Sequence, residues 1–113
     1  MIQLYGIKNC DKVKKARTYL AKHNIDYQFH NFHKETPTTI QLEHWLQQVD
    51  WQQLLNKRGL TWRRLAKDKK DNLHKSKAIQ LMKEQPTIIK RPILLTDRNI
   101  IIGFDQDKYQ SLH

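Results

Sequence analysis

The chain opens on Met1-Ile2-Gln3-Leu4-Tyr5, an apolar-rich run that Gly6 stops and that a helical stripe follows almost at once. So short a run bounded by glycine has the length of a strand. Val13, Ala16 and Leu20 then recur at spacings of three and four, which predicts a helix with Asn9 as its N-cap. Asn24 is placed to close that helix, and Ile25, Tyr27 and Phe29 alternate with polar residues as a second strand. The opening is therefore β-α-β, and Cys10 falls at or beside the helix start.

The middle of the chain changes period. Thr38 and Gln41 form a capping box ahead of Leu42, Trp45, Leu46 and Val49, and Asp50 with Gln53 repeats the device before Leu54 and Leu55. Gly59 is expected to end that second helix. A basic stretch from Arg63 to Lys77 leads to a further helix around Ala78, Ile79 and Met82, which Pro86 should limit. Its portion Arg63–Asp71 reads as a solvated helix face.

Strands return after Arg91-Pro92. Ile93-Leu94-Leu95 and Ile100-Ile101-Ile102 flank a polar turn at Asp97-Arg98-Asn99, the pattern of an antiparallel hairpin. Asp105 can cap a last short helix carrying Tyr109 and Leu112. The whole reads as one domain over 1–113: a β-α-β and β-β-α core at 1–34 and 87–113, sharing a mixed four-stranded sheet, and a helical insertion at 35–86.

At 38% hydrophobic and 28% charged, with three Gly and three Pro, the chain has the balance of a folded protein. No apolar run approaches the about 20 residues a bilayer requires, and no basic-then-apolar leader opens the sequence. A single cysteine forms no intramolecular disulfide, so the expected compartment is the cytoplasm. The net charge of +10 predicts anionic partners. His23, His30, His33, His44, His74 and His113 lack the spacing of a metal site, so no metal is expected. Trp45, Trp51 and Trp62 are expected to pack the insertion against the sheet rather than to stack on bases.

The thiolate is the nucleophilic form of cysteine, and helix N-termini and neighbouring cations favour it. Lys8 and Lys12 flank Cys10, Asp11 opposes them, and the free N–H groups of the helix start can bind an anion. A small, buried and inert cysteine is the competing reading. With no second cysteine at Val13, a redox cycle needs an external thiol.

Tyr5-Gly6-Ile7-Lys8-Asn9-Cys10-Asp11-Lys12-Val13-Lys14-Lys15-Ala16 closely resembles the start of the ArsC/Spx/YffB family, the arsenate-reductase-like branch of thioredoxin-fold proteins. Two further blocks agree in order and spacing. They are Leu54-Leu55-Asn56-Lys57-Arg58-Gly59 with Thr61-Trp62-Arg63, and Lys90-Arg91-Pro92-Ile93 followed by Gly103-Phe104. The likeness is greatest to the YffB branch. It implies a thioredoxin-like α/β fold with an inserted helical subdomain.

The resemblance also implies Cys10 as nucleophile, with Arg58 and Arg91 converging on it and Asn9, Lys8 and Lys12 as local helpers. Pro92 would be the cis-proline that offers backbone groups to a thiol substrate. A guanidinium suits this task because its charge is permanent and its donors form a fork. The family's arsenate reductases carry a third arginine where this chain has Gly103-Phe104, and a histidine where it has Gly6. The expectation is a monomeric, glutathione-dependent thiol reductase or transferase with no tightly bound cofactor and glutathione as co-substrate. Its partner would be glutathione, another small anionic or thiol substrate, or a protein disulfide. Neither nucleic acid nor membrane is expected. The alternatives are an Spx-like regulator that binds RNA polymerase and a true arsenate reductase.

Overall fold

A computed structural model describes residues 1–113. The chain separates into two compact units, Met1–Glu35 with Arg91–His113, and Thr36–Lys90. The helical unit thus extends past the expected boundary at 86. Leu55 forms an antiparallel bridge with Ile89, and the Lys90 N–H donates to the Leu54 carbonyl at 2.8 Å, which binds 87–90 to the helices.

In the first unit, strand β1 (Ile2–Gly6), helix α1 (Asp11–Lys22) and strand β2 (Tyr27–Asn31) form the β-α-β opening. Ile25 lies before the second strand, spent instead on ending the helix. The Asn24 N–H donates to Ala21 and the Ile25 N–H to Leu20, the paired bonds of a left-handed helix stop, with Asn24 at φ 55°. Helix α1 begins one residue later than the asparagine rule suggests. Cys10, not Asn9, is its N-cap.

Strands β3 (Ile93–Leu95) and β4 (Ile100–Ile102) form the expected hairpin, and helix α7 (Gln106–Tyr109) follows, capped by the Asp105 carboxylate. The sheet runs β2-β1-β3-β4, with β1 parallel to β2 and antiparallel to β3. This is the thioredoxin-like arrangement. Phe29, Leu4, Leu94 and Ile101 are in register across all four strands, so one row of apolar side chains crosses the sheet. Ala16, Tyr19 and Leu20 of α1 and Tyr109 of α7 cover that row. Arg17 closes its edge, with its guanidinium over the Phe29 ring and its Nε donating to the Tyr27 hydroxyl at 2.9 Å.

In the second unit, α2 (Thr39–Trp45) and α3 (Trp51–Leu54) start with the two capping boxes the sequence shows. Helices α4 (Leu60–Arg64) and α5 (Lys67–Lys70) follow, then α6 (Lys75–Glu84). Gly59 does not end α3. The chain leaves that helix at Leu55 to form its bridge with Ile89, and Gly59, at φ −82°, instead precedes α4 as its N-cap. The basic run is likewise two short helices rather than one helix face, divided at Leu65-Ala66, and neither buries a residue. Trp45 is buried, whereas Trp62 stays partly exposed with the ammonium groups of Lys57 and Lys70 over its ring. No helix is long and apolar enough to cross a membrane.

Tyr109 is fully buried and its hydroxyl has no hydrogen-bond partner, while its ring meets Phe104 and Tyr19 edge-on. An unpaired buried hydroxyl costs about 1–3 kcal/mol, and the ring contacts do not need it. Tyr109→Phe should therefore be as stable as the parent or more so by up to about that amount in urea unfolding. Burial also pushes the Tyr109 hydroxyl well above the ordinary tyrosine value. Above about pH 10 the unfolded chain releases a proton that the folded chain keeps, so stability falls as pH rises. Part of that loss should be absent from Tyr109→Phe.

Candidate functional site

Cys10 follows the turn that leads out of β1. Its backbone is extended, at φ −104° and ψ 125°, and its carbonyl accepts the Lys14 N–H at 2.9 Å to close the first turn of α1. Serine, threonine or aspartate at an N-cap would turn its side chain back to occupy the first N–H groups. The Cys10 side chain makes no such bond. The N–H groups of Asp11, Lys12 and Val13 belong to the first turn, where a helix offers no carbonyl partner. A half-buried sulfur and several backbone donors therefore share one helix end.

Lys8, Asn9, Asp11 and Lys12 around it are all exposed. Water and salt screen charges in such positions, and Asp11 opposes the two lysines. They are the lesser part of the site.

Register brings Pro92 to the same end of the sheet. Tyr5 faces Ile93 across the β1–β3 ladder, and one further step sets Pro92 opposite Gly6, four residues before Cys10. The Arg91–Pro92 peptide bond is cis. Pro92 is buried, and its carbonyl accepts the Gly103 N–H at 2.8 Å. Arg91 is half-buried beside it in the same unit. Arg58 belongs to the helical unit, where it is exposed and its N–H donates to the Asn56 side chain at 3.2 Å.

Two glycines that local sequence does not mark as part of a site shape this end of the sheet. A Cβ on Gly6 would lie 2.6 Å from Val13 Cγ2, so glycine is what allows α1 to rest this closely on β1. Gly103 takes the left-handed φ of 78° as it donates to Pro92. A glycine between an apolar strand and a helical stripe was the available signal for the first. The second has none in local sequence, because its partner is distant in the chain.

The chain resembles known proteins over nearly its whole length. The model of the ArsC family matches residues 5–112. An uncharacterized protein of Haemophilus influenzae is 44% identical, the match covering 98% of this chain and 97% of the relative. A solved protein named YffB is 40% identical with a TM-score of 0.94, covering 98% of this chain and 97% of its own. Global transcriptional regulator Spx 1 of Lactococcus lactis is 30% identical over 98% of this chain and 88% of its own.

The Gly6 contact yields a direct test. Gly6→Ala forces a methyl into Val13 and should cost about 1–3 kcal/mol in urea unfolding. In a Val13→Ala background the same change should cost distinctly less, because the opposing methyls are gone.

Proposed function

The chain belongs to the ArsC family, and on that premise we propose that it is a monothiol reductase or transferase that uses glutathione, with Cys10 as its nucleophile. The observation that carries the reading is Cys10 at the N-cap of α1, its thiol uncommitted to capping and next to free backbone donors. Such donors favour a thiolate and can hold the carboxylate of an arriving peptide thiol.

The Cys10 thiolate attacks the glutathione sulfur of a mixed disulfide between glutathione and a substrate. A Cys10–glutathione bond forms and the substrate leaves as its thiolate. A second glutathione thiolate then attacks the glutathione sulfur on Cys10, forming oxidised glutathione and freeing the Cys10 thiolate. Over the cycle the substrate–glutathione disulfide and one reduced glutathione become the substrate thiol and oxidised glutathione, one S–S bond broken for one formed. With one cysteine in the chain, the resolving thiol must come from outside. Arg91 and Arg58 would hold the anionic partner and favour the thiolate, while Lys8, Asn9 and Lys12 contribute less. Pro92 would align the substrate backbone. The cytoplasm, which is rich in reduced glutathione, is the compartment that suits such a cycle.

The relatives named as transcriptional regulators favour a second reading, a non-catalytic regulator that binds RNA polymerase. Arsenate itself fits less well. Gly103-Phe104 stands where the arsenate reductases of the resemblance carry a third arginine, and each charge-assisted contact is worth about 1.5–3 kcal/mol.

Incubation with oxidised glutathione should give one glutathione adduct by intact mass, absent in Cys10→Ser and slower to form in Arg91→Ala. Reduced glutathione should then remove it. Lack of an adduct under conditions that modify a control thiol, together with capture of RNA polymerase by Cys10→Ser, would replace the enzyme with the regulator.

A further inference from the structure

The helical unit carries a charge concentration that the chemistry at Cys10 does not use. Between Arg63 and Lys77 seven lysines and arginines stand against two acids, a net +5 of the chain's +10. The run is folded rather than a loose tail. The Lys77 ammonium donates to the backbone carbonyls of Asp68 and Asp71, which ties α5 back to α6. At the other end, the Thr61 and Thr87 hydroxyls share a 2.7 Å hydrogen bond that ties α4 to the segment after α6.

On this frame Arg63, Arg64, Lys67 and Lys75 are exposed and have no acidic partner. Lys69 has only Glu84, at 3.7 Å. Like charges held this close on a fixed surface repel, and an anionic partner relieves that repulsion.

The same face also holds two leucines among polar residues. A groove of about 270 Å³ opens between α4 and the end of α6, lined by Leu60, Thr61, Arg64, Leu65 and Gln85. Leu60 is 50% exposed, one of three large apolar side chains this open to water. Leucines beside a guanidinium receive a side chain that is itself apolar and whose neighbours are negative.

We propose that the α4–α5 face is a docking site for an acidic protein segment bearing a bulky apolar side chain. That side chain enters the Leu60–Leu65 groove, and its flanking carboxylates pair with Arg63, Arg64 and Lys67. Charge complementarity selects the acidic partner, and the two leucines in an otherwise polar groove favour a peptide over a nucleic acid. A phosphodiester backbone gains nothing from Leu60 and Leu65. The aromatic group at hand, Trp62, has the ammonium groups of Lys57 and Lys70 over its ring rather than a free stacking surface.

The test uses the full chain and fluorescence anisotropy of three labelled probes: a poly-Glu peptide with one central Leu, its counterpart with Ser there, and a single-stranded oligonucleotide of equal charge. The Leu peptide should bind about tenfold or more tightly than the Ser peptide, the worth of one buried leucine. Leu60→Ser, a half-exposed change at the first residue of α4, should erase most of that preference. Arg63→Ala with Arg64→Ala should weaken both peptides and flatten their salt dependence, whereas Lys22→Ala with Lys108→Ala should do neither. Failure of all probes to bind, equal affinity for the two peptides, tighter binding of the oligonucleotide, or indifference to Leu60→Ser would each overturn the proposal.

Discussion

How closely α1 lies on β1 decides the rest of the sheet unit. The strand is one of the two inner ones, paired on both sides, and both Leu4 and Tyr5 are buried although they point to opposite faces. A helix packing on such a strand normally stands off by the depth of the intervening side chains. At Gly6 there is no side chain, and Val13 occupies the space a Cβ would need. That contact sets the start of α1 at the end of β1, and with it the position of Cys10. It also lets Ala16 and Leu20, one and two turns on, reach the apolar row that includes Leu4 and Leu94.

The elements that were legible in the sequence are those whose cause is local. The capping boxes at Thr38 and Asp50 need only four consecutive residues, and both form as the spacing requires. Asn24 stops α1 because asparagine tolerates the left-handed region, again a property of one residue. The displaced N-cap has a cause that is only partly local. Asparagine is the better capping residue by preference, yet Asn9 belongs to the turn leaving β1, and the close packing at Gly6 leaves Cys10 in the capping position. Gly59 departs from its local rule for a different reason. A glycine after an apolar helical stripe usually closes it, but Leu55 had already left the helix to pair with Ile89, a contact across more than thirty residues that no periodicity encodes.

The candidate site shows the same division. Cys10 could be placed at a helix start from spacing alone. Arg58, Arg91 and Pro92 look like ordinary surface or loop residues in a chain with 21 lysines and arginines, and only the resemblance in three blocks raised them. What the fold adds for Pro92 is a position: the β1–β3 register sets it opposite Gly6 and the Gly103 N–H holds its carbonyl. Sequence spacing could not supply that register, because it depends on which of two apolar strands pairs with the first.

The helical unit distributes its charge in a way that stability alone does not require. Its buried residues are Pro37, Leu55, those of α2, α3 and α6, and Ile88 with Ile89, and α4 and α5 add none. Two short helices with no buried side chain are marginal on their own, since nucleating a helix costs more than one or two turns return. They persist because the Lys77 ammonium, the Thr61–Thr87 bond and the lysines over Trp62 fasten them. One cation, Lys77, is thus spent on holding the others in place. Fixing a crowded set of positive charges on a frame that contributes nothing to the interior is unfavourable in isolation, and it becomes favourable once an anionic surface lies against it.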